Sequence, residues 1–185
     1  MELPNIKILD ESNKILRQVS KEVTFPLDEE TKKLINDSLD YLEMSQMEEY
    51  IEKYDLRAGM GLSFVQIGIL KRMFTVLTYD EKGQLHKYAL VNPKIISTSV
   101  AKAYLNTGEG CLSVSESHQG FVKRYNKIKL KAYDHISKQN VTLTLKGYVA
   151  IVVQHEYDHL DGVLYYDRIN KQNPFKIDEE DIEIV

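Results

Sequence analysis

The segment His155-Glu156-Tyr157-Asp158-His159 has the residue types and spacing for metal-assisted hydrolysis. Residues four apart lie on one face of a helix, so His155 and His159 can share one ion. Glu156, next to the first histidine, can reach a water on that ion and, when ionised, accept its proton. Imidazole suits zinc and similar divalent ions, which bring the pKa of coordinated water toward neutrality. The bland alternative is two unrelated histidines on a helix. The preceding run, Tyr148-Val149-Ala150-Ile151-Val152-Val153, is strongly apolar and puts the motif on a buried helix. Polar side chains are costly there unless they have partners, which favours a ligand role.

Two histidines do not complete a catalytic site, which usually has three protein ligands and one open position. Cys111, the one cysteine, lies in Gly108-Glu109-Gly110-Cys111-Leu112-Ser113, where two glycines permit a tight backbone. A metal would hold it as thiolate. On spacing alone, ligand, nucleophile and buried apolar filler all remain open for Cys111. A third segment runs Gly59-Met60-Gly61-Leu62-Ser63-Phe64-Val65-Gln66-Ile67-Gly68. It lacks the Gly-Lys-Ser/Thr ending of a phosphate-binding loop. Gln66 is polar among apolar neighbours; its amide suits either structural hydrogen bonding or donation to a developing oxyanion.

The elements that must position these groups follow from periodicity. Asp10, Glu11 and Ser12 before Ile15, Leu16 and Val19 predict a short capped helix. From Asp28, apolar residues at helical spacing predict one amphipathic helix running into the 50–55 region. A glycine-punctuated loop covers 57–68. Strands are predicted over 72–78, 86–91, 94–100, 121–132 and 141–145, with a turn at Lys82-Gly83 joining the first two. Gly147 opens a last helix to about Leu160, closed by Asp161-Gly162. The expected class is α+β: antiparallel sheets packed around a metal-binding helix near the C-terminus, with helices at the N-terminus. The whole of 1–185 is expected to be a single catalytic domain, with the acidic tail 176–185 a mobile, solvated end.

The chain has 185 residues, with 24 basic and 28 acidic side chains, a net charge of −4. That balance gives no reason to expect direct nucleic-acid binding. No apolar run is long enough to span a bilayer, so no membrane role is expected. No basic start followed by an apolar stretch marks a secretion signal. A lone thiol suits a reducing compartment, and a cytoplasmic location is the expectation.

Taken together and in this order, the three segments resemble peptide deformylase. Members of that family carry a G-x-G-x-A-A-x-Q loop, an E-G-C-L-S loop and a Q-H-E-x-D-H helix, found here at 59–66, 109–113 and 154–159. The segment between Asp40 and Arg57, Val114 and the stretch 120–124 are similar to its Gram-positive-type, second class. The resemblance implies Cys111, His155 and His159 as metal ligands and Glu156 as general base, then general acid. It implies the Gln66 side chain and the Leu112 N–H as oxyanion donors. The substrate's methionine pocket would fall on Met60, Gly61, Gly110, Arg124, Tyr148, Ile151 and Val152, beside His155. The implied cofactor is one divalent ion, Fe2+ first, with Ni2+, Co2+ or Zn2+ as substitutes. The implied substrates are N-formyl-methionyl nascent polypeptides, with the ribosome as a further partner.

Two departures stand out. The family's paired alanines are Ser63-Phe64 here, and a proline often found before the glutamine is Val65. Neither is expected to touch a ligand or the base; altered inhibitor fit is the expected consequence. The rival reading is a zinc endopeptidase using the same helix. It would need a third ligand downstream, where only Glu179, Glu180 and Glu183 in the tail are candidates. A non-catalytic structural metal site would normally be closed by four ligands and would leave Glu156 without a purpose.

Overall fold

Strand β6 (Lys127–Asp134) sets the layering: Ile128, Leu130 and Ala132 are buried while Lys127, Lys129 and Lys131 between them are exposed. In a computed structural model that describes residues 2–185, β6 is one strand of a five-stranded antiparallel sheet. Its order is β1 (Gly61–Ser63), β2 (Met73–Tyr79), β3 (Leu85–Thr98), β6, β7 (Gln139–Lys146). A smaller sheet holds β5 (Arg124–Tyr125), β4 (Lys102–Leu105) and β8 (Ile182–Ile184). The class is α+β, as expected.

Three α-helices flank the sheets. Helix α3 (Gly147–Leu160) lays Val149, Ala150, Val152 and Val153 against Phe74, Val76, Leu90, Ile128 and Leu130 on one face of the large sheet. Helix α1 (Glu29–Ser45) covers the other face at the β2–β3 end, through Ile35 and Leu39 against Met73, Ala89 and Val91. Burying a side chain of this size is worth roughly 1.5–3 kcal/mol. These contacts hold α3 against the sheet as an interior element.

Several local expectations are corrected. The segment from Asp28 folds as two helices, not one: α1 ends at Ser45 and α2 (Glu48–Tyr54) restarts after an extended Met47. Gln46 makes the break, its Nε2 donating to the carbonyls of Gly59 and Leu77 at 2.8 Å each. The predicted N-terminal helix is only a 3-10 turn over Lys14–Arg17, capped by Asn13. Strands 86–91 and 94–100 merge into β3, kinked at Asn92-Pro93; Asn92 has φ 51° and ties both backbone groups of Val23. The 121–132 strand is split at the buried Asn126 into β5 and β6, in different sheets. Within the predicted 57–68 loop lies β1, paired to β2.

The tail is also corrected. Instead of a frayed end, β8 pairs in parallel with β4, Ile184 is buried, and Lys123 binds Asp178 and Asp181. Alternation of Ile182 and Ile184 in an acidic stretch is the signal that overall polarity masked. Among the described residues, no helix is long and apolar enough to cross a membrane.

Candidate metal centre

Helix α3 begins at Gly147, whose φ of 59° favours glycine and where a Cβ would overlap the Glu81 carboxylate. Glu81, from the β2–β3 hairpin, accepts from Tyr148 N at 2.8 Å, placing negative charge at the helix start. This fixes α3 so that His155 and His159, one turn apart, face the same way with ring centroids 5.0 Å apart. Cys111 comes from the loop between β4 and β5. Its Sγ lies 3.3 Å from His159 Nε2, and the ligand atoms of Cys111, His155 and His159 all fall within 4.8 Å of one another. Among the described residues this is the one group of three or more such side chains so disposed.

The set fits a divalent ion. Metal bonds of about 2.0–2.3 Å in a tetrahedron put ligand atoms roughly 3.3–3.7 Å apart. Protonation supports the same conclusion. Burial would raise the pKa of Glu109, but Arg124, with help from His155, overrides it and holds the carboxyl at about 2. An ionised Glu109 accepts only, so the 2.8 Å bond from His155 Nδ1 puts a proton on Nδ1 and leaves Nε2 as the nitrogen that would give up its proton to an ion. Burial disfavours charge on both rings. At His155 the Cys111 sulfur and Glu109 outweigh burial and hold the pKa well above the ordinary value; at His159 burial wins and the ring is neutral. The sulfur and carboxylate that favour positive charge at His155 would equally favour an ion, which would replace the proton on its Nε2 beside the neutral His159 ring.

The Cys111 loop is gripped from outside. Arg57 donates to the carbonyls of Val114 at 2.9 Å, Cys111 at 3.1 Å and Leu112 at 3.4 Å. Gln66 is buried; its Oε1 accepts from Ser63 N at 2.9 Å, and its Nε2 lies 3.1 Å from Ser113 Oγ and 3.5 Å from Cys111 Sγ. Leu112 N–H has no hydrogen-bond partner among the described residues. Glu156 is 4% exposed. Burial raises its pKa, against His155, Ser63 and Arg124, which favour the ionised form.

A cavity of about 270 Å³ opens beside these groups. Met60, Gly61, Gly110, Tyr148, Ile151 and Val152 line it, together with Gln66, Cys111, Leu112, His155 and Glu156. The match of one family model over residues 6–175, that of polypeptide deformylase, covers most of the chain. The chain belongs to the polypeptide deformylase family. It is 48% identical over 177 residues to peptide deformylase 2 of Geobacillus stearothermophilus, covering 96% of each. Identity to peptide deformylase 2 of Bacillus subtilis (strain 168) is 46% over 177 residues, again 96% of each. The crystal structure of peptide deformylase from Thermotoga maritima superposes with a TM-score of 0.69 at 33% identity, covering 89% of this chain and 97% of that one.

Two expectations drawn from the deformylase resemblance need correction. Arg124 does not line the cavity. It is 3% exposed, and its guanidinium binds Glu109 at 2.5 and 2.8 Å and Asp158 at 2.9 Å, while Arg168 takes the other Asp158 oxygen at 2.6 Å. Three of its five N–H donors go to two buried carboxylates, which commits the guanidinium inside the protein and not to the cavity. Its role is to hold Glu109 against His155. The second correction is Ser63, which does touch the expected base. Its Oγ is 2.8 Å from Glu156 Oε2 and 2.7 Å from Glu156 O, so its single proton can serve either. Sequence reasoning missed Ser63, Arg57 and Glu109. Only Glu109 carried a signal, as a carboxylate two residues from a candidate ligand.

The endopeptidase reading loses its ligand. Glu183 is engaged by Tyr104 and Asn106, and the third member of the metal set lies upstream, at Cys111.

Proposed function

We propose that this chain hydrolyses the N-formyl group of newly made proteins through Glu156, Gln66 and the Leu112 N–H, around an ion held by Cys111, His155 and His159. Deformylation itself follows from family membership over residues 6–175 and from near full-length relatives named for it. The residue roles rest on one observation: a sulfur and two imidazoles on one point, with a buried carboxylate next to them in sequence and a cavity alongside.

A divalent ion bound there supplies Lewis acidity and lowers the pKa of a coordinated water. The rest is the work of the chain. Glu156 takes the proton of the attacking water and returns it to the departing amine nitrogen. Gln66 Nε2 and the Leu112 N–H donate to the oxygen that gains charge at the formyl carbon. Each such donor is worth about 3 kcal/mol of barrier. The apolar cavity walls, Met60, Ile151 and Val152, take the methionine side chain and exclude water. Residues 1–185 act as one catalytic domain whose sheets pack around the ligand-bearing α3. Fe2+ is the ion favoured by the family resemblance, and Ni2+, Co2+ or Zn2+ suit the same donors. We place the protein in the cytoplasm, with nascent chains as substrates and the ribosome as their source.

The test is formate release from an N-formyl-methionyl peptide, with an internal peptide as control and metal content measured on the same sample. Glu156→Ala should keep its metal and lose almost all turnover. Near-normal turnover by that folded variant would remove Glu156 as the base. Wild-type metal content in Cys111→Ser would remove Cys111 from the ligand set.

A further inference from the structure

The outward face of β6 carries Lys127, Lys129 and Lys131 in a row, about 7 Å apart at the strand repeat. Lys146 of β7 stands directly opposite Lys127, and Lys94 of β3 opposite Lys131. Helix α1 and the 23–27 segment cover this face only as far as Val91 and Tyr133; beyond it all five lysines are exposed. Among the described residues none of the five makes an ion pair. Yet the chain has acid to spare: apart from these five it carries 19 basic and 28 acidic side chains. Like charges directly opposite one another destabilise a sheet, so the arrangement gives folding nothing. Ser97, Thr142 and Thr144 are paired to these same strands and set hydroxyls between the ammonium groups. At one end Phe25 is 50% exposed, its ring edge-on to Tyr133 at 5.0 Å, in a groove that Lys94 and Lys131 also line.

We propose that this sheet face binds the phosphate backbone of single-stranded RNA, with Phe25 as a stacking platform for one base. Rows of ammonium groups with hydroxyls between them suit a charge-dense phosphate chain, and an exposed ring at the end of the row suits any base. An anionic membrane surface is the poorer match. Membrane-surface elements pair basic residues with an apolar face that enters the lipid, and here hydroxyls fill the gaps between the lysines. The net charge of −4 hides the face because it averages a basic sheet with an acidic remainder. For an enzyme of nascent chains the surface would prolong residence near an RNA-rich particle, but RNA binding stands or falls separately from deformylation.

The experiment is fluorescence anisotropy of a labelled 12-nucleotide oligouridylate with the full-length protein. A Kd of about 10 µM or tighter is expected at 50 mM KCl. With five phosphate contacts on a single strand, the log–log salt slope should be near −3.5, or about 100-fold weaker binding at 200 mM. Lys127→Glu/Lys129→Glu/Lys131→Glu should lose binding at least 30-fold while keeping its melting temperature and formate release. Lys129→Gln, a single change on an exposed site, should flatten the slope by about 0.7 and guards against misfolding of the triple variant. Phe25→Ser should weaken binding several-fold with the slope unchanged. No binding at 50 mM KCl, or equal binding by the triple variant, would overturn the proposal. So would tighter binding to vesicles containing 30% phosphatidylglycerol than to the oligonucleotide, which would make lipid the partner.

Discussion

Gly61→Ala should disable the enzyme by displacing Glu156, with the metal ligands left in place. Gly61 sits in β1 opposite Val76, and its backbone is not in the left-handed region, so alanine is allowed there conformationally. The obstacle is Glu156. A Cβ at position 61 would lie 2.5 Å from Oε1, 2.6 Å from Cγ and 2.7 Å from Cδ. Carbon atoms in contact need about 3.5–4.0 Å, so the side chain must yield by about 1 Å. It is buried, with Ser63 on its carboxylate, so it cannot swing into water while keeping its bonds. Misplacing a reacting group by about 1 Å costs on the order of 100-fold, equivalent to about 2.7 kcal/mol of barrier. Formate release from an N-formyl-methionyl peptide should show kcat down about 100-fold, with metal per chain unchanged. Gly110→Ala is the control on the same cavity, since a Cβ there meets nothing within 4 Å; its kcat should stay within threefold. A fully metallated Gly61→Ala protein with kcat within threefold of wild type would refute the reasoning, because Glu156's placement would then not be what the glycine protects.

Other consequences follow from named contacts. Ser63→Ala removes one donor to Glu156 and should lower kcat several-fold more than it raises KM, because the lost bond holds the base and not the substrate; an effect confined to KM would contradict this. Arg124→Met strips Glu109 and Asp158 of their shared buried partner and should cost about 3–5 kcal/mol in urea denaturation. A loss under 1 kcal/mol would show that Arg168 and solvent compensate. Asp28 caps α1 by accepting from Thr31 N at 2.6 Å, and that bond depresses its pKa below 3.8. A depressed folded-state pKa gives stability that is present above the unfolded value and lost as pH falls through the folded one. The melting temperature lost in Asp28→Ala should therefore be largest above pH 4 and shrink below it; a pH-independent difference would break the linkage.

What could be read from the sequence follows the range of the interaction. The helical pair His155/His159 and the strand alternation of 127–131 are local repeats, so periodicity alone finds them. Helix α3 was legible to within a residue because Gly147 and the apolar run state its start and its burial. Cys111 could be joined to the histidines only through resemblance, because a separation of 48 positions from His159 follows no spacing rule. Ser63 and Glu156 are 93 positions apart, and a serine where relatives carry alanine reads as a packing change until its hydroxyl is seen on the carboxylate. The same distance effect misdirected Arg124. The resemblance assigned it to the substrate pocket, while its partners Glu109 and Asp158 lie 15 and 34 positions away, in a loop and in helix α3. The break after α1 depends on what Gln46 finds in Gly59 and Leu77, again outside any local window.

The buried charges explain why this site is built into the core. Glu109, Arg124 and Asp158 are each under a tenth exposed, and burying three charges costs more than hydrophobic residues of the same volume would. In the proposed site the cost has a use, because Glu109 holds His155 Nδ1 and so fixes Nε2 as the nitrogen that would meet an ion. A surface histidine could be oriented as well only by giving up the dry surroundings that strengthen every electrostatic contact at the formyl carbon. The chain therefore sets His155 and His159 on its most buried helix, clamps the Cys111 loop from outside with Arg57, and opens a cavity beside them. Loosening any of these supports should reduce catalysis before it unfolds the protein, because the base and the oxyanion donors must hold position within about half an ångström while the core need only stay packed.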